Sequence, residues 1–74
     1  VIDGGTITLS DNVTFDKDNY FNNNGWRDGL GYAGDKSFTI DLGGFTISQD
    51  GYLNDYLIWI KNVGSKANTI TIKN

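Results

Sequence analysis

Cysteine, histidine, proline, methionine and glutamate are all absent from the 74 residues, and alanine occurs only at 33 and 67. Each absence closes a route. Without cysteine there is no disulfide and no thiolate metal site. Without histidine the commonest metal ligand and the usual general base are gone. With so few helix formers, essentially no helix is expected. Nine aspartates against six lysines and arginines leave a net charge of −3, the wrong sign for a protein that tracks nucleic-acid phosphates. No apolar run is long enough for a membrane span. A chain this short builds a small core and is marginal unless something reinforces it. Adjoining coils of a longer chain, or other copies of this one, would supply that reinforcement. The chain opens on Val1 rather than Met, as expected of a processed or excised form.

Thr, Ile, Asn and Gly are abundant instead. The organising stretch is Phe38-Thr39-Ile40-Asp41-Leu42-Gly43-Gly44-Phe45-Thr46-Ile47. Phe38, Ile40 and Leu42 alternate with Thr39 and Asp41, so one face of a strand is apolar. Gly43-Gly44 can take positive φ and turn the chain into a second strand. The pattern recurs. Thr6-Ile7-Thr8-Leu9 precedes Thr39-Ile40-Asp41-Leu42 by 33 residues, and Thr69-Ile70-Thr71-Ile72 follows it by 30. Val13-Thr14-Phe15 stands 32 before Phe45-Thr46-Ile47. Such in-order repetition predicts a repeat architecture. The fold expected is all-β: a parallel β-solenoid of about two coils plus one strand, with coils over residues 6–38 and 39–68 and a third beginning at 69–74. Residues 6–9, 39–42 and 69–72 should be neighbours in one parallel sheet, with Ile7, Ile40 and Ile70 stacked inside. Residues 16–37, rich in Asn, Gly and aromatics, read either as an excursion whose Tyr20, Phe21, Trp26 and Tyr32 form a satellite cluster or as a third, irregular face, and the second is preferred because a regular strand over 57–60 matches it in the next repeat.

The segment 38–47, followed by Ile60-Lys61-Asn62-Val63 and Asn68-Thr69-Ile70-Thr71-Ile72-Lys73-Asn74, resembles right-handed parallel β-helix proteins of the pectate-lyase-like and bacterial adhesin and autotransporter type. The resemblance covers the second half well and the first half loosely. It implies a secreted or cell-surface microbial protein. No position matches the family's catalytic motifs, so no catalytic residue is implied.

Residues that could carry chemistry are few. Asp16 and Asp18 are spaced like oxygen ligands for Ca²⁺, but Phe21 and Arg27 stand where an EF-hand loop needs glycine and glutamate. A solvated acidic turn is the preferred reading. Asn12-Val13-Thr14 is the single glycosylation sequon, preferred as a chance match. Gly29-Leu30-Gly31-Tyr32-Ala33-Gly34 matches G-x-G-x-x-G without the strand-to-helix context that a dinucleotide site needs. Asp41 is an outward acid with no second acid or base at a matching position. Trp26, Tyr32 and Trp59 could stack on sugar rings, with core or interface packing as the competing reading. No metal, cofactor or enzymatic activity is expected. The function expected is a non-catalytic structural module that self-associates end to end through Thr69, Ile70, Thr71 and Ile72. The alternative is a polysaccharide-binding or polysaccharide-degrading β-helix fragment.

Overall fold

The computed structural model describes residues 1–74 in full and contains nine strands and no helix. The strands are β1 (Gly5–Thr8), β2 (Val13–Phe15), β3 (Phe21–Asn23), β4 (Trp26–Asp28), β5 (Leu30–Gly34), β6 (Phe38–Asp41), β7 (Ile47–Gln49), β8 (Ile58–Asn62) and β9 (Ile70–Lys73). The all-β class follows from the residue usage: β-branched and aromatic side chains fill the strands, while Gly, Asn and Asp fill the links.

The strands form four small sheets. β1, β6 and β9 make a parallel three-stranded sheet with β6 in the middle. β2 pairs with β7 and β5 with β8, both parallel. Only β3 and β4 are antiparallel. Parallel partners cannot be joined by a tight hairpin. The chain therefore runs from β1 through the other sheets before it returns beside itself as β6.

The register of the three-stranded sheet differs from the expected one. Ile7 lies opposite Ile40, but Ile40 lies opposite Ile72, and Ile70 faces Phe38. The second offset is thus 32 residues (Ile40 to Ile72), not 30. Side chains alternate with period two, so a slip of two leaves every residue on its own face. Alternation cannot see it. The link before β9 decides it: Asn68 Nδ2 donates to the Lys36 carbonyl (2.8 Å) and Thr69 N–H to Ser37 Oγ (2.9 Å), each 32 positions away. The other sheets have their own offsets. Val13 pairs with Ile47 rather than Phe45, and Leu30 pairs with Ile58, 28 residues on.

The Gly43-Gly44 corner turns as expected, with φ of +61° and +81° and a 2.9 Å bond from Phe45 N–H to the Leu42 carbonyl. Phe45 itself falls in the turn and is exposed. The expected irregular third face over 16–37 divides in two. Residues 21–28 leave as the β3–β4 hairpin, and β5 supplies a regular strand. That excursion is why the repeat is shorter on the β5–β8 side. The buried apolar side chains are Phe15, Phe38 and Ile40. The molecule measures 34 × 30 × 14 Å, and three strands spaced by about 4.8 Å account for most of the short dimension.

Candidate functional site

Two regions carry unusual chemistry: the hairpin with the loop beneath it, and the two open edges of the sheets.

The hairpin turns at Asn24-Gly25, with φ of 53° and 92°. Two consecutive positive φ values define the turn that matches strand twist, and Asn-Gly is its preferred dipeptide. That signal was available in the sequence. The surrounding Asn run reads as loop and hides it. On β4, Arg27 ties residues 52–55 to the hairpin. Its N–H donates to Asn54 Oδ1 (2.7 Å) and its Nε to the Tyr52 carbonyl (2.6 Å). Its carbonyl accepts from the N–H groups of Asn54 and Asp55, both at 3.2 Å. The guanidinium lies 4.4 Å from the centre of the Tyr52 ring, and Tyr52 meets Tyr20 edge-on at 5.4 Å.

Asp28 is the residue that sequence reasoning misses. It is 0 % exposed. One carboxylate oxygen accepts from Asn23 Nδ2 (3.0 Å), the other from Tyr56 N–H (2.9 Å). A buried carboxylate needs such partners, and here they join β3, β4 and the loop before β8. Nothing local in Trp-Arg-Asp-Gly marks this aspartate for burial, because one partner, Asn23, comes from across the hairpin and the other, Tyr56, from 28 residues away. The neighbouring Asp55 carboxyl is pushed above its usual range, first by partial loss of water against the hairpin and then by the charge of Asp28. Asp28 is shut off from solvent with both oxygens engaged, so it holds structure and cannot reach a substrate. No three acidic side chains converge in the fold. Asp16 and Asp18 form an exposed turn, in which Asp16 Oδ1 accepts from Asp18 N–H (2.9 Å) and Lys17 pairs with Asp18 (3.0 Å).

The three aromatic candidates for sugar stacking are separated. Tyr32 packs edge-on against Phe38 at 4.9 Å, and its hydroxyl accepts from Lys36 N–H (3.1 Å). Trp59 sits 5.9 Å from Phe21, whose ring also covers Gly31, the partner of Trp59 across the sheet. Tyr32 pairs with Ile60, next to Trp59, so the pleat puts Tyr32 and Trp59 on opposite faces. Trp26, at the hairpin turn, is 57 % exposed and stacks on no other ring.

The open edges are apolar. Beside β1, a groove of about 280 Å³ is lined by Val1, Ile2, Gly5, Thr6, Ile7 and Phe38 of β6. On the far side, β9 carries Ile70 and Ile72, and Val63 beyond β8 is exposed. Of the expected association segment, Ile70, Thr71 and Ile72 lie on β9, the edge strand of the three-stranded sheet, and Thr69 just precedes it. Asp41, in the middle strand, accepts from Asn74 Nδ2 (3.0 Å) and Gly43 N–H (2.9 Å), and these donors, with Lys73 nearby, hold its carboxyl below the usual range. It is occupied in forming the corner. In comparison with known proteins, the chain matches no family model, no curated protein and no solved structure.

Proposed function

We propose that the chain is a non-catalytic structural module, about two coils of a parallel β-solenoid plus the first strand of a third, that joins other copies of itself end to end. Adjoining coils of a longer chain would meet the same ends in the same way. One comparison carries the reading. Ile7, Ile40 and Ile72 are the same residue type in register on one face of one sheet. Ile40, with a strand on both sides, is 1 % exposed, whereas Ile7 and Ile72 are 48 % and 45 % exposed. Half an isoleucine left in water at each end represents about 1–1.5 kcal/mol of unrealised burial. The backbone shows the same deficit. There are 32 backbone hydrogen bonds, where a folded chain of this length makes about 50. Unpaired strand edges with no proline and little charge favour pairing with another strand. The resemblance to β-helix adhesins and passengers supports a secreted or cell-surface setting.

Sedimentation velocity over a wide concentration range, with electron microscopy of the concentrated sample, tests the reading. Growth into ordered oligomers or filaments is expected. A monomer that persists at the highest concentration would remove it. The exposure of Trp26 beside Asn22, Asn23 and Asn24 favours polysaccharide binding as the second reading. Retardation in affinity gels cast with plant or algal polysaccharides, abolished by Trp26→Ala, would support it.

A further inference from the structure

This inference rests on the self-association proposed above and specifies its polarity and register. The two ends differ in charge. Residues 1–34 carry five Asp against Lys17 and Arg27, whereas residues 56–74 carry Lys61, Lys66 and Lys73 and no acid. Lys66 already pairs with Asp3 (3.1 Å), whereas Lys61 and Lys73, on the strands of the basic end, form no ion pair, Lys73 standing across the sheet from Asp41. The ends also differ in which backbone groups they offer. Leu9 N–H donates to the Asp41 carbonyl, Phe38 N–H to the Thr69 carbonyl and Leu42 N–H to the Lys73 carbonyl. In a parallel ladder every second residue of a strand bonds to the same neighbour. Ile7 and Leu9 thus face β6, and Thr6 and Thr8 turn their backbone groups out of β1. Likewise Thr71 and Lys73 face β6, and Ile70 and Ile72 turn theirs out of β9.

The geometry points to a second copy docking head to tail, with β9 of one copy against β1 of the next and Ile72 opposite Ile7. In that register the Ile72 N–H meets the Thr6 carbonyl, and the Thr8 N–H meets the Ile72 carbonyl. The column Ile7–Ile40–Ile72 gains another isoleucine, and the column Thr6–Thr39–Thr71 on the opposite face gains another threonine. A slip of one residue loses both the hydrogen-bond match and the isoleucine column. The groove beside Ile7 receives the incoming Ile72, and Lys61 and Lys73 come toward the end that carries Asp11, Asp16 and Asp18. Two acidic ends, or two basic ends, repel, so polarity is selected as well as contact.

Cross-linking and charge reversal test this. The chain has no cysteine of its own. Mixing Thr6→Cys with Thr71→Cys should give a disulfide-linked dimer under mild oxidation, and Thr71→Cys alone should give none. The double variant Lys61→Asp, Lys73→Asp should assemble at least tenfold more weakly at low salt. Adding the variant Asp11→Lys, Asp18→Lys should restore assembly, because each then offers the charge the other needs. Cross-linking by Thr71→Cys alone, or unchanged assembly of the lysine variant, would overturn the polarity and leave self-association standing. A wild-type chain that stays monomeric at all concentrations removes both.

Discussion

Truncating each isoleucine of the column separates a buried rung from an end rung. Ile40 is 1 % exposed between two strands, so Ile40→Ala loses the full transfer energy and leaves a cavity, at about 3–4 kcal/mol. Ile7 and Ile72 are already half in water, so Ile7→Ala and Ile72→Ala should each cost about 1.5–2 kcal/mol in a dilute sample. A domain of this length is worth roughly 4–11 kcal/mol in all, so Ile40→Ala takes a large share of it. Urea unfolding followed by far-ultraviolet circular dichroism measures all three. The comparison also reads assembly. At concentrations where copies stack, Ile7 and Ile72 gain a neighbour, and the cost of truncating them should climb toward that of Ile40. Equal costs for all three in the dilute monomer would refute the assignment of Ile40 as the only enclosed rung. Costs that stay apart in a sample shown to be assembled would refute the Ile72–Ile7 contact.

Asp28→Asn keeps the shape but turns an amide NH₂ toward one of two donors, Asn23 Nδ2 or Tyr56 N–H. A loss of about 1–3 kcal/mol is expected, with faster hydrogen exchange at Tyr56; unchanged exchange there would show that the carboxylate does not hold the loop. Gly29→Ala places a methyl against the Leu57 carbonyl oxygen and 2.9 Å from the Phe15 ring, so it should cost about 1–3 kcal/mol by thermal melting, and a neutral result would show that the loop yields. Asp3 is held below the usual carboxylate range by the Ser37 N–H and then by Lys66, and Lys66 is raised above 10.5 by its bond to Asp3. Asp3 therefore stabilises above its unfolded pKa and loses this as pH falls through its lower folded value. Lys66 stabilises below 10.5 and loses this as pH rises through its higher folded value. Asp3→Asn should lower the middle of a stability–pH curve, where both groups are charged, and change its acid and alkaline ends little, so that both limbs flatten; an unchanged middle would deny the pair a role.

The residues alone determine the all-β class, the inward positions Phe38 and Ile40, and the Gly43-Gly44 corner. Each depends on neighbours within a few positions: strand propensity, period-two alternation and tolerance of positive φ. Trp59 is a case between. Alternation puts it opposite Ile58 and Ile60, but only the hairpin supplies Phe21 to cover it. The tertiary structure decided the rest. The register that joins Ile40 to Ile72 rather than Ile70 depends on Asn68 and Thr69 reaching Lys36 and Ser37, which alternation cannot distinguish from a slip of two. The burial of Asp28 depends on Asn23 across the hairpin and on Tyr56 from the next pass of the chain. The opposite fates of Ile7 and Ile40 depend on how many strands lie beside each. An isoleucine in a sequence records the side of a strand it faces. Whether that side is covered is a property of what stacks next to it, and only the arrangement of strands in space contains that.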